Sequence, residues 1–252
     1  MGYPLFRNKC FEEALFSPLD YVRWSKYTKN GIKNRPSKYI LVYFPYLVSY
    51  FRRKYKPKVI KLSRLITINQ YKDIALVQMT GIGAPNAATV LEELIALGGK
   101  EFINLGFCGG LKDFGIFLCE KALRDEGTSY HYLPKGKFTF PNKALTTKFK
   151  KSLEKHNIDY EIGTTWTIDA PYRETISEIK EYRKQGVKTV EMEASALFAV
   201  AQFRKVKIAS CFVVSDILGN DKWDPQFDSK HVKQKLKKLI DIAVETYSKE
   251  NL

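Results

Sequence analysis

IALVQMTGIGAPNAATVLEELIALGGKEFINLGF, residues Ile74 to Phe107, decides the fold. Its opening, Ile74 to Met79, has the length and apolar content of a strand buried on both faces. TGIGAPN then supplies a glycine turn, and Ala87 to Gly98 carries an apolar stripe at helical spacing that Gly98 and Gly99 stop. A second strand-like run, Phe102 to Phe107, comes at once. Strand, helix and strand within roughly thirty residues make a βαβ unit, which calls for a sheet covered by helices. The expectation is a single α/β domain: a central mixed, twisted sheet flanked by helices in a three-layer architecture.

Working outward, Tyr39 to Phe44 and Val59 to Leu65 read as earlier strands, with Arg52, Arg53, Lys54 and Lys56 on a helix between them. Ile162 to Thr167 reads as a later strand. Glu191 opens an apolar helical pattern (Met192, Ala196, Leu197, Val200, Ala201), and Asp216 follows the strand-like run Ile208 to Val214. Val232, Leu236, Ile240, Ala243, Val244 and Tyr247 share one face of a terminal helix that closes the sheet's flank. Residues 1–37, rich in aromatics and cations, read as an N-terminal arm or helical lead-in to a domain over residues 38–252.

At 252 residues, 44% hydrophobic and 27% charged, the chain suits one soluble domain with a full core. A net charge of +15 is compatible with anionic partners, yet Lys and Arg recur along the whole chain, as they do on solvated faces. Nucleic acid is therefore a minor reading. Cys10, Cys108, Cys119 and Cys211 lack metal-type spacing, and two lie in apolar runs, which suits a reduced, cytoplasmic protein. The opening residues have no signal-peptide core, and Tyr39 to Phe51 falls short of the roughly 20 residues that span a bilayer. No membrane partner is expected.

Gly81 and Gly83, and likewise Gly106 to Gly110, lie at the ends of strand-like runs, where backbone amides can cradle an anion or simply make a tight turn. A dinucleotide fingerprint is excluded by Asn86, and no P-loop is present. Neither a serine nucleophile elbow nor a zinc-type arrangement of His131, His156 and His231 exists, so no metal is expected. Arg124 to Tyr132, RDEGTSYHY, is densely polar and aromatic, a binding segment or a solvated loop. Trp166 and Tyr172, flanking Thr167 and Asp169, offer flat faces to a heterocycle or to the core. Glu191, Glu193 and Asp216 are three acids that a helix and a strand can aim at one pocket, because ligands of open α/β sheets bind at strand carboxyl ends. A helix N-cap is the lesser reading of Asp216.

The succession GIGAPN, INLGFCGG, RDEGTSYHY, VEMEA and VVSD resembles the nucleoside phosphorylase family, which includes purine nucleoside phosphorylases, uridine phosphorylases and methylthioadenosine nucleosidases. The resemblance implies that Glu193, Met192 and Glu191 bind the ribose and that Asp216 protonates a purine at N7. It also implies a base site among Trp166, Thr167, Tyr172, Phe107 and Ser215, and a phosphate or water site at Gly83, Asn104, Gly106 and Arg124. The implied activity is cleavage of an N-glycosidic bond with phosphate as co-substrate and no cofactor, by a homodimer or a hexamer of dimers. Departures concentrate on the phosphate side. Phe44-Pro45-Tyr46 stands where a Gly-Asp loop is usual, Asn104 where an arginine is usual, and Phe107 where a small hydroxyl residue is usual. Water in place of phosphate, or binding without turnover, are the alternatives, and Arg52, Arg53, Arg64 or Arg124 are the cations able to rebuild an anion site.

Overall fold

A computed structural model describes residues 4–6, 8–25, 35–219 and 222–248. The βαβ unit is present as β4 (Ile74–Gln78), α3 (Ala84–Ala96) and β5 (Glu101–Gly110). Around it stand β1 (Lys38–Val42), α2 (Pro45–Tyr55), β2 (Lys58–Lys61) and β3 (Thr67–Tyr71). The sequence suggests one strand from Val59 to Leu65; the chain instead turns there, because Ser63 Oγ accepts from the amides of Leu65 and Ile66. β2 and β3 then pair antiparallel.

The second half contributes β6 (Ile116–Asp125), β7 (Phe138–Thr139), α4 (Lys143–Lys155), β8 (Glu161–Ile168) and α5 (Ile176–Lys184). It ends with β9 (Val187–Glu191), α6 (Ala194–Phe203), β10 (Lys207–Ile217), β11 (Asp224–Pro225) and α7 (Lys230–Ser248). Two sequence expectations shift here. Glu191 ends a strand rather than opening a helix, since its carboxylate accepts from the amides of Glu193 and Ala194 and thereby caps α6. Asp216 lies within β10, paired to Pro225, and is no helix cap.

The sheet is mixed and runs β11-β10-β6-β8-β9-β5-β1-β4-β3-β2, with β10 also paired to β5. That extra pairing closes β5, β10, β6, β8 and β9 into a ring. Gly109 and Gly110 make the closure: each is in register with both β9 and β10. A Cβ on Gly110 would lie 2.7 Å from the Asp113 carbonyl oxygen and 2.8 Å from Ile217 Cδ1, so side chains are barred by space rather than by dihedral angle.

Three layers result. α3 and α6 pack on one face with Leu91, Leu94, Leu197 and Phe198, while α2, α4 and α7 cover the other with Leu47, Phe149, Leu236 and Ile240. All six apolar residues assigned to the terminal helix face are buried there. In the N-terminal arm, α1 (Pro18–Trp24) starts at a Ser17–Asp20 capping box and buries Val22 against α3. Residues 26–34 of that arm lie outside the described residues. Among the described residues no helix is long and apolar enough to cross a membrane.

Candidate functional site

Two buried glutamates form one wall. Glu191 Oε1 accepts from Thr167 Oγ1 at 2.6 Å, and its Oε2 accepts from the amides of Glu193 and Ala194 at 2.8 and 2.7 Å. Glu193 Oε1 accepts from the Gly83 amide at 2.6 Å. Burial first, then the neighbouring Glu193 charge, pushes Glu191 above the usual carboxylate range; the three hydrogen bonds pull the other way. Burial raises Glu193 as well, against the pull of its backbone donors. Met192, between them, is half-buried.

The opposite wall carries the acid. Asp216 is 8% exposed; its Oδ1 accepts from Ser215 Oγ at 2.8 Å and its Oδ2 from Trp223 Nε1 at 2.9 Å. Gly109 separates the two walls, paired to Val190 on one side and to Asp216 on the other. Glu174, half-buried near the same place, is pushed up to about 7, by burial first and then by the Asp216 charge.

The third side holds Tyr43, one residue past β1. Its ring crosses Gly106, where a Cβ would meet Tyr43 Cε2 at 3.2 Å. Its hydroxyl donates to Asn104 Oδ1 at 2.9 Å, and Asn104 Nδ2 donates to Ser210 Oγ at 3.2 Å. Burial, then Glu193 and Glu191, raise the Tyr43 phenol well above its ordinary value.

Several residues singled out in the sequence have other duties. Asn104 is fully buried and bonded to Tyr43 and Ser210. Gly83 gives its amide to Glu193 and is not an open anion cradle. Arg124 donates to Ser129 Oγ and to the carbonyls of Leu133, Pro134 and Gly136, and stacks on Tyr130 at 4.0 Å. RDEG is a wired corner, with Asp125 accepting from Trp166 Nε1, Glu126 from Ser195 Oγ, and the Gly127 amide donating to Asp169. Arg52 bonds Asn69 at 2.7 Å beside a cavity of about 230 Å3 that Thr67, Gln78 and Thr80 also line.

Nor do all the base-side residues face a ligand. Trp166 alternates to the far side of β8 and is fully buried edge-on to Tyr182, so it is core. Thr167 is consumed by Glu191 and by the Ser195 amide. Phe107 points to the α2 face, its ring 4.3 Å from Phe44. Ser215 is 1% exposed and orients Asp216. Tyr172 is 99% exposed. Sequence reading missed Tyr43, Trp223 and Glu174. The only local signal for Trp223 was an indole placed shortly after the acid in a polar turn.

The chain matches the family described as the phosphorylase superfamily over residues 42–245. An uncharacterised protein of Acanthamoeba polyphaga mimivirus is 33% identical over 162 residues, 62% of this chain and 62% of that protein. The match thus spans less than two thirds of that relative's length. The purine nucleoside phosphorylase of Plasmodium vivax (strain Salvador I) is 28% identical over 174 residues, 66% of this chain and 70% of the relative. Among solved structures, AMP nucleosidase from Bacteroides thetaiotaomicron aligns with a TM-score of 0.75 at 25% identity, covering 91% of this chain and 97% of that one.

Proposed function

We propose that this chain, which belongs to the phosphorylase superfamily, cleaves the N-glycosidic bond of a purine nucleoside or a close relative of one. The observation that carries the reading is the pair of buried carboxylates, Glu191 and Glu193, set across Gly109 from Asp216. Breaking the bond builds positive charge on the ribose and negative charge on the departing base. Glu193, held by the Gly83 amide, and Met192 meet the sugar; Glu191 acts one step back, holding the start of α6. Asp216, fixed by Ser215 and Trp223, delivers a proton to N7 of the base. A purine offers that nitrogen and a pyrimidine does not.

The reaction uses no organic cofactor. A reducing, cytoplasmic setting suits four free thiols, of which Cys108, Cys119 and Cys211 are buried and Cys10 is partly so. Self-association belongs to the same proposal: Phe11, Leu15 and Trp24 of the arm are 73%, 99% and 77% exposed, apolar surface that a second copy would cover. Light scattering reads that state directly.

The test is a panel of purine and pyrimidine nucleosides, assayed for released base by chromatography with and without phosphate. Release of purine bases supports the reading. No release from any member, under either condition, removes it.

A further inference from the structure

We propose that Tyr43 is a specificity-determining residue that fills the anion side of the site, so that water rather than phosphate attacks the sugar. The proposal rests on the glycosidic reading and fixes its nucleophile.

A phosphate dianion needs hydrogen-bond donors and positive charge. Proteins hold one with cationic forks or with backbone amides left open at a turn. Here the space and the amide beside the glutamates are taken up. The Gly83 amide donates to Glu193, and the Tyr43 ring lies over Gly106, where a Cβ would meet it at 3.2 to 3.3 Å. Asn104, the polar side chain beneath, is satisfied by Tyr43 and Ser210. On the other face of β5 the Phe44 and Phe107 rings pack 4.3 Å apart and close the strand end with apolar surface. The charged groups that act on Tyr43 are Glu193 and Glu191, both of the sign that repels a dianion. Arg124 is committed to Ser129 and to the carbonyls of its own loop, and Arg52 donates to Asn69.

Water meets none of these obstacles. It is neutral and small, and it is held well by two to four polar partners. The Tyr43 hydroxyl, donating to Asn104, keeps its lone pairs, and Glu193 Oε2 lies outside the Gly83 bond. In the step, the C1′–N9 bond breaks with its electron pair going to the base, which takes at N7 a proton relayed from solvent by Asp216. The water oxygen bonds C1′, and its proton passes to the Glu193 carboxylate and then to solvent. Ribose and free base leave.

Two measurements decide the matter. The first follows base release by the wild-type chain in phosphate-free and phosphate-containing buffer, with 31P NMR watching for ribose 1-phosphate. Equal rates and no ribose 1-phosphate are expected; a phosphate-dependent rate that yields ribose 1-phosphate overturns the proposal while leaving glycosidic cleavage intact. The second titrates inorganic phosphate into wild type, Tyr43→Phe and Tyr43→Gly by calorimetry, independent of turnover. Wild type and Tyr43→Phe, which keeps the ring, should show no binding. Tyr43→Gly should gain affinity on the order of tenfold or more. Phosphate binding by wild type, or no difference between the Phe and Gly variants, sinks the role of the ring.

Discussion

Trp223 Nε1 donates to Asp216 Oδ2 at 2.9 Å, so the acid of the site is gripped by an indole that is itself 60% exposed. With Ser215 on the other oxygen, the carboxyl is held in one orientation. Asp216→Asn keeps the shape and both neighbours but removes the proton relay. Turnover of purine substrates should fall by about 10²- to 10⁴-fold, the usual weight of general acid–base catalysis, with the melting temperature nearly unchanged. A variant with wild-type kcat would take Asp216 out of the mechanism.

Glu174 sets a pH dependence. Its carboxyl is raised from 4.5 to about 7, chiefly by burial and then by Asp216. The fold therefore favours the protonated form: the stability it contributes is complete below 4.5 and is lost as pH rises through about 7. Glu174→Gln imitates the protonated state throughout. The melting temperature of the variant minus that of wild type should widen across this window and stay flat above it. A difference that does not vary with pH separates Glu174 from burial and from Asp216 alike.

Arg124 is assigned to structure rather than chemistry. Arg124→Ala leaves three carbonyl acceptors and Ser129 without their donor, at about 1–3 kcal/mol for each group that stays buried. Chemical denaturation should show the loss. The ratio of base release with and without phosphate should not move, and a change in that ratio would return Arg124 to the nucleophile side.

The ring closure has its own comparison. Gly110→Ala places a methyl 2.7 Å from backbone oxygen, whereas at Gly115 the nearest atom, on Phe117, is at an ordinary 3.4 Å. Overpacking of this kind costs about 1–3 kcal/mol. Gly110→Ala should be destabilised by that order and Gly115→Ala hardly at all, read from urea midpoints at equal m-values.

How much of this was written locally in the chain differs from element to element. Ile74 to Phe107 and the face from Val232 to Tyr247 could be read because period and punctuation are local properties. β9 could not, since only the capping of α6 by Glu191 separates a strand end from a helix start, and that bond needs the folded backbone. Asp216 and Glu193 were legible as acids at strand ends. Asn104, Arg124 and Thr167 were polar residues in promising places whose partners come from other strands or from the loop each one braces. Tyr43 was invisible for the same reason: nothing in its sequence neighbourhood says that its hydroxyl will reach a buried side-chain amide on the adjacent strand.

The closed ring of β5, β10, β6, β8 and β9 makes the site a gauge. Asp216 and the β9 end that carries Glu191 are held apart by one intervening strand, roughly 10 Å from backbone to backbone at ordinary strand spacing, and Gly109 touches both sides. In an open sheet such a span can stretch with twist; in a closed one it is set by strand count. The separation of Asp216 from the end of β9 is therefore fixed by the backbone before any side chain is considered.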